Sequence, residues 1–579
     1  MSLRRIVRRS PDPHAIQSLP DHLSPILRRV YAARGVESTS VSTALAALLP
    51  VSSLEGTAEA AERLAAAQRS NERILIIGDF DADGATATAL TVSCLRRFGF
   101  ANVDYLVPDR LRHGYGLTVE IVTVAAELQP DLIITVDNGV SSFAGVAAAA
   151  EHGIEVIITD HHLPGDSVPP AVAIVNPNLA HSAFPSKALA GVGVAFYLMA
   201  ATGQRLAADG LLSAQDARRI CADCLDLVAL GTVADLVPLD HNNRVLVAQG
   251  LQRIRAGRTR PGIAALFATA GTHQHDAAPA DFGFRIAPQL NAAGRLDDMS
   301  VGIECLLATS QAEAQPLAEQ LAGLNRERRK LQRKMQVEAE GLVDELEAAA
   351  DSTTAGCVDC ACLYDNRWHQ GVVGLVASRV KDRLNRPVVA FADGERPGLL
   401  KGSARSVSGV HIRDVLATIN ARSPGLIDRF GGHAMAAGLS LEKAKLREFR
   451  TVFAAEMARF RQFIAADDEV LTDGELRPDD LTLSTAELLR HSGPWGQAFP
   501  EPVFDGQFEV LGQRVVGADH LKLQLRPVAG QAALDAIAFN QAVLELQPGA
   551  LCTAAFRLDV NEFRGRRNPQ LVVEHIECV

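Results

Sequence analysis

Between about residues 70 and 240, short β-branched runs alternate with Ala-rich stretches: ILII at 74–77, LIITV at 132–136, EVIIT at 155–159 and AVAIV at 171–175. Apolar runs this short, separated by helix-length segments, predict an α/β domain built on a parallel sheet. From Gln315 to Ala350 the chain is dominated by Leu, Ala, Glu, Arg and Lys, which predicts one long helix of roughly 50 Å at 1.5 Å per residue. Residues 357–460 mix Gly-rich loops (WHQGVVG, KGSARS, FGGHAMAAG) with apolar segments, as a second, smaller α/β domain would. After about residue 500, HLKLQLRPV, LDAIAFN and LCTAAFRLDVNEF alternate with period two, predicting a barrel of about five strands. The expected organisation is therefore an N-terminal segment at 1–50, the parallel-sheet domain at 51–314, a connecting helix at 315–350, the second α/β domain at 351–460 and the barrel at 461–579. Ala188 to Gln204 is the most apolar long uncharged run, but Gly191, Gly193, Tyr197, Thr202 and Gly203 within it predict a buried helix rather than a membrane span.

Composition narrows the class. The chain has 579 residues, 57 basic and 68 acidic, for a formal charge of −11, with 47% apolar and 22% charged residues. These values exclude a disordered chain and a small binding module, and suit three or four globular domains. MSLRRIVRRSPDPH has positive charge but no apolar stretch behind it, so a cytoplasmic location without a membrane anchor is expected. Nine cysteines without framework spacing do not suggest a disulfide scaffold. Cys221 with Cys224, and Cys357 with Cys360 and Cys362, formally allow a four-thiolate zinc site, although the pairs lie far apart in sequence. Six of the nine residues from Arg326 to Lys334 are basic, and Arg253, Arg255, Arg258 and Arg260 form a second cluster. Either cluster reads equally as a surface that tracks a nucleic-acid backbone or as a solvated helix face.

Candidate chemistry lies where acidic and imidazole side chains follow the apolar runs. After ILII comes Gly78-Asp79-Phe80-Asp81-Ala82-Asp83-Gly84, after LIITV comes Asp137-Asn138-Gly139, after VIIT comes Asp160-His161-His162, and after LDLVALGTVA, read as a further strand, comes Asp235. A single aspartate after a strand is usually a turn or helix cap. Four such ends along one edge of an open parallel sheet place the carboxylates in the crevice where ligands bind. Crowded carboxylates resist ionisation unless cations neutralise them, so this pattern predicts a metal cluster. Oxygen donors with one or two imidazoles suit Mn2+ or Mg2+. Asp79, Asp81 and Asp83 can aim at one point, and a helix starting near Gly84 offers free N–H groups to a phosphate. Two ions held there would activate water and stabilise displacement at phosphorus, which makes phosphoester hydrolysis the expected reaction class.

GDFDADGATA, TVDNG, DHH and GTVADLVPL, in this order, resemble the four motifs of the DHH phosphoesterase superfamily. PDRLRHGYG, LAGVGVAF, FRIAPQLNAAGR, WHQGVVGLVASR, KGSARS and FGGHAMAAG extend the resemblance to the RecJ family of bacterial exonucleases, over roughly residues 75–440, and the C-terminal pattern is similar to its OB-type domain. The resemblance implies a DHH catalytic domain, a DHHA1-type substrate-binding domain and degradation of single-stranded DNA from 5′ to 3′ with release of 5′-mononucleotides in recombination and repair. It implies metal binding by Asp79, Asp81, Asp83, Asp137, His161 and Asp235, with Asp137 bridging two ions. It further implies His162 near the scissile phosphate, Asp160 orienting its loop, Ser403 and Arg405 on a substrate phosphate, Arg110, Asn291 and Arg295 near the DNA backbone, and His433 facing the catalytic cleft. A core histidine is the competing reading for His433. Gln289 departs from the pattern, standing where a basic residue is expected. The implied partners are single-stranded DNA with a 5′ end, single-stranded-DNA-binding protein and a helicase. In the OB-like part Arg514, Lys522, Arg526, Arg564, Arg566 and Arg567 are expected to cluster. Two alternatives stand beside this reading: a phosphodiesterase acting on short oligonucleotides or cyclic dinucleotides, and a non-catalytic strand-binding relative.

Overall fold

The computed structural model describes residues 5–109, 116–351, 359–460, 469–517, 520–542, 544–563 and 565–578. Two compact units result: Met1–Asn291 with Met299–Glu319 and Glu469–Val579, and Ala292–Asp298 with Gln320–Asp468.

The first unit begins with strand β1 (Arg5–Arg8). Its main sheet contains β2 (Ile74–Ile77), β3 (Val103–Leu106), β4 (Leu132–Val136), β5 (Glu155–Thr159) and β6 (Ala173–Val175), all parallel in the order β3-β2-β4-β5-β6. Every residue of β2 and β4 is buried, as expected for central strands covered on both faces. The chain leaves β2 toward β3 on one side, whereas β4 pairs on the other. That reversal opens a crevice at the carboxyl ends of β2 and β4, the usual ligand position in such sheets.

LDLVALGTVA is not a strand. It forms the helix Leu225–Ala234, in which Leu225 to Thr232 are all buried. An element packed on every side loses the periodicity that separates helix from strand, and Leu and Ala favour the helix. Ala188 to Gln204 resolves as expected into a buried helix, Gly191–Ala208.

The long helix runs Gln311–Asp351, four residues earlier than expected and unbroken through Pro316 and Gly341. The second unit holds a mixed sheet of β7 (Ala361–Tyr364), β8 (Val388–Asp393), β9 (Leu399–Arg405), β10 (Arg429–Gly432) and β11 (Ala436–Glu442), in the order β10-β11-β9-β8-β7. Met335, Ala339 and Val343 of the long helix pack with helix Val373–Leu384 on one core, while helices Ile412–Arg422 and Leu446–Met457 pack on the other. KGSARS, expected as a loop, is the end of β9, paired on both sides.

Back in the first unit, β12 (Glu469–Thr472) pairs parallel with β1. A closed five-stranded barrel follows: β13 (Phe504–Val516), β14 (His520–Pro527), β15 (Leu534–Ala538), β16 (Leu551–Phe563) and β17 (Arg566–Cys578), in the order β13-β14-β15-β17-β16. The N-terminal segment grips the barrel's approach. Arg34 holds the Asp473 carboxylate with two hydrogen bonds of 2.8 and 3.0 Å, and Tyr31 packs on Trp495 and Phe499. Lys522 pairs with Asp535, Arg526 with Glu509 and Arg567 with Glu487; Arg564 lies outside the described residues.

Candidate metal centre

The loop after β2 is shaped by its own side chains. Asp81 caps helix Ala82–Arg97, its Oδ1 accepting the N–H groups of Asp83 (2.9 Å) and Gly84 (3.0 Å). Gly84 must lack a side chain: a Cβ there would lie 2.6 Å from the Asp79 backbone oxygen and from its Cβ. Asp83, fully buried, takes the N–H groups of Gly191 (2.6 Å) and Val192 (3.0 Å) at the positive end of helix Gly191–Ala208.

After β4, Asp137 is a non-glycine residue in the left-handed region, with φ 64°. Strain of this kind, roughly 1–3 kcal/mol, concentrates where function over-determines the backbone. After β5, the Asp160 carboxylate accepts the N–H groups of Val140 (2.9 Å), His161 (2.8 Å) and His162 (3.0 Å), together with His162 Nδ1 at 2.7 Å. An ionised carboxylate only accepts, so Nδ1 of His162 carries the proton. Asp235 sits at the C-terminal cap of helix Leu225–Ala234.

These elements converge. His161 Nε2 is 3.2 Å from Asp137 Oδ1 and 3.5 Å from Asp235 Oδ2. Three sets of side chains bring ligand atoms within 4.8 Å of one another: Asp79, Asp81 and Asp137; Asp83, His161 and Asp235; and Asp137, His161 and His162. Asp137 and His161 each belong to two sets.

Electrostatics agrees with a cation site. Burial first, and then the neighbouring carboxylates, push Asp137 and Asp235 well above the usual carboxylate range. Burial and Asp81 push Asp83 up to about 7, against the pull of the Val192 and Gly191 N–H groups. Asp160 goes the other way: although burial opposes its charge, the His162 bond holds its carboxyl below the usual range. His162 rises correspondingly, because Asp160 outweighs the burial of the ring. A pocket of oxygen donors and imidazole that cannot hold its full negative charge alone fits Mn2+ or Mg2+.

The remaining expected residues fall in several places. Asn291, at the end of the first unit, accepts the Ala82 N–H at its Oδ1 at 2.7 Å and thereby braces the metal loop. Arg295, in the second unit, donates to the Gly371 carbonyl at 3.0 Å. Also in the second unit, Arg405 Nη1 donates to Ser403 Oγ at 2.8 Å, and a Cβ on Gly374 would lie 2.8 Å from Ser403 Oγ and 2.9 Å from Arg405 Nη2. Helix Val373–Leu384 thus starts against both side chains, an arrangement suited to an anion. His433 is exposed, which removes the core-histidine reading. Arg110 lies outside the described residues. Gln289 is buried and bonded to Thr269 and to the Leu266 and Arg285 carbonyls, so it braces helices instead of meeting phosphate. Cys224 lies 3.7 Å from Cys94, a residue outside either C-x-x-C pair; Cys357 lies outside the described residues. No cysteine joins a metal-holding group among the described residues. One feature was missed: Phe284, 78% exposed on the one-turn π-helix Phe282–Ile286 just before the helix of Asn291. A single wide turn leaves no periodic trace in sequence.

Comparison with known proteins places the fold and the motifs together. Residues 73–232 match the DHH family N-terminal domain, 357–459 the DHHA1 domain and 472–575 the RecJ OB domain. The chain is 51% identical to the single-stranded-DNA-specific exonuclease RecJ of Dickeya dadantii, over 97% of this chain and 98% of that protein. It belongs to the RecJ family. RecJ of Escherichia coli is 49% identical over 96% of each chain. The crystal structure of RecJ in complex with Mn2+ from Thermus thermophilus superposes with a TM-score of 0.80 at 30% identity, covering all of this chain and 80% of that one; a second structure of that RecJ contains Mg2+. No described helix of this RecJ-family chain is long and apolar enough to cross a membrane.

Proposed function

We propose that this RecJ-family chain is a single-stranded-DNA-specific 5′→3′ exonuclease that releases 5′-mononucleotides by two-metal hydrolysis and serves DNA recombination and repair. The observation that carries the reading is the convergence of Asp79, Asp81, Asp83, Asp137, His161 and Asp235 at the sheet's reversal point, in a chain matching RecJ exonucleases over nearly its whole length.

Two divalent cations, when bound, supply an activated water and neutralise charge developing on the phosphate. The chain's own residues do the rest. Asp137, belonging to two of the ligand sets, would help to hold both ions. Asp160 holds His162 by Nδ1, aiming Nε2 at the departing 3′-oxygen, where it donates a hydrogen bond or a proton. Ser403 and Arg405 bind a substrate phosphate, and Arg110, Asn291, Arg295 and His433 are the further candidates for contact with the strand. Phe284 offers a stacking platform for a base. The reading sets the enzyme in the cytoplasm, where single-stranded-DNA-binding protein and a helicase supply the substrate strand.

The test is release of mononucleotides from end-labelled DNA with Mn2+. Single strands degraded from the 5′ end support the reading. Equal digestion of blunt duplex, or attack from 3′ ends, overturns it. Preference for a dinucleotide over a long strand favours the short-substrate alternative, and binding without cleavage favours the non-catalytic one.

A further inference from the structure

Two stretches of the chain are dense in cations, and their surroundings differ. In the first unit, Arg253 pairs with Asp223 at 2.6 Å, Arg260 with Asp226 at 3.2 Å, and Arg255 donates to the Ala277 carbonyl at 2.8 Å. Three of these four arginines are therefore engaged in holding helices together.

Among the described residues, no carboxylate lies within ion-pair distance of the cations from Arg326 to Lys334. The stretch lies on the long helix, within the second unit. Leu321, Asn325, Met335, Ala339 and Val343 mark the buried side of that helix. Arg326, Arg329, Lys330, Arg333 and Lys334 are exposed, and none has a carboxylate within ion-pair distance among the described residues. At 100° per residue, Arg326, Arg329, Lys330 and Arg333 share one sector spanning about 10 Å of helix. Like charges three and four residues apart weaken a helix, so helix stability does not explain their placement.

Half-buried Arg328 lies on the opposite side of the helix, and among the described residues its guanidinium donates to uncharged groups, Asn325 Oδ1 at 3.1 Å and Gln332 Oε1 at 3.2 Å. Burial, then Arg329 and Arg379, pull its pKa down. Arg379, exposed on helix Val373–Leu384, lies near Arg328 and also lacks a carboxylate partner among the described residues. A chain of net charge −11 thus keeps a concentrated positive face, whose field complements a polyanion.

We propose that this face of the long helix tracks the phosphate backbone of the DNA strand, as a binding surface additional to the Ser403–Arg405 phosphate site. The inference rests on the strand-degrading reading above. Phosphate contacts of this kind read charge and not sequence.

The test uses the full chain with Arg326→Gln, Arg329→Gln, Lys330→Gln and Arg333→Gln combined. Binding of a long, non-cleavable phosphorothioate strand is measured between about 50 and 300 mM salt. The slope of log K against log salt should become shallower by about 1.4 or more, roughly 0.7 for each of at least two lost phosphate contacts. Arg218→Gln with Arg258→Gln, removing exposed charge elsewhere, should keep the wild-type slope. The double variant Arg326→Gln, Arg333→Gln carries the test if the fourfold one does not fold. An unchanged slope, in a preparation whose wild type degrades single strands, overturns the inference alone. A wild type that neither binds nor degrades single strands overturns the function on which it rests. Lost binding of poly-glutamate with an unchanged strand slope identifies an acidic protein as the partner, and also overturns it.

Discussion

Replacing Gly191 by alanine tests the metal site through a residue that bears no functional group. Gly191 opens helix Gly191–Ala208, and an added Cβ would stand 2.4 Å from Asp137 Oδ1, 2.5 Å from its Cβ and 2.6 Å from its Cγ. Non-bonded carbon contacts are comfortable at about 3.5–4.0 Å, so the carboxylate must retreat by roughly 1 Å. It cannot swing away freely, because the clash reaches the root of the side chain and Asp137 is already in a strained conformation. The helix itself welcomes alanine by about 1 kcal/mol, while local crowding costs roughly 1–3 kcal/mol. The fold should therefore survive, with a change in Tm of a few degrees. Misplacing a group at the reacting centre by about 1 Å costs on the order of 100-fold in rate. We expect kcat on 5′-labelled single strands to fall about 100-fold and half-saturation by Mn2+ to shift to higher concentration. Wild-type kcat and wild-type Mn2+ dependence in this variant would refute the packing of Gly191 against Asp137.

Three further outcomes follow. Asp137→Asn should abolish turnover yet raise the Tm of the chelator-treated protein, since it removes a buried carboxyl crowded by Asp83, Asp81, Asp235 and Asp79; a lower Tm contradicts the repulsion. In chelator, stability should fall as pH rises from 6 to 8, because Asp83 is raised to about 7 when folded, so its contribution is present below its unfolded value near 4 and lost as pH passes through 7. Saturating Mn2+ should flatten that dependence, with thermal unfolding as the readout and a Tm that climbs with pH in chelator as the contrary result. Phe284→Ala should weaken binding of single strands by about 5- to 100-fold, corresponding to loss of one base stack; fluorescence anisotropy with an unchanged Kd would remove Phe284 from the strand's path.

Legibility in the sequence tracked how many surfaces of an element the core covers. ILII and LIITV announced themselves because short β-branched runs buried on both faces have few other uses, and the aspartates after them marked the crevice. LDLVALGTVA misled because burial on all sides erased its helical period, although Asp235 reached the cluster from the helix end. KGSARS read as a loop for its glycine and hydroxyls. In the sheet Gly402 lies opposite Phe391, and a Cβ on it would meet the Phe391 ring at 2.4 Å, so the glycine makes room for an aromatic neighbour. Charge clusters were the least legible: nothing in the spacing of Arg253 and Arg260 reveals that Asp223 and Asp226, about thirty residues earlier, neutralise them.

The parallel pairing of Arg5–Arg8 with Glu469–Thr472 imposes a timetable on biosynthesis. A strand made among the first residues waits for a partner 464 positions later, which at 5–20 residues per second is roughly 25 to 90 s of translation. Throughout that interval the strand Arg5–Arg8 must be kept from pairing elsewhere, while the sheet bearing the aspartates can already close behind it.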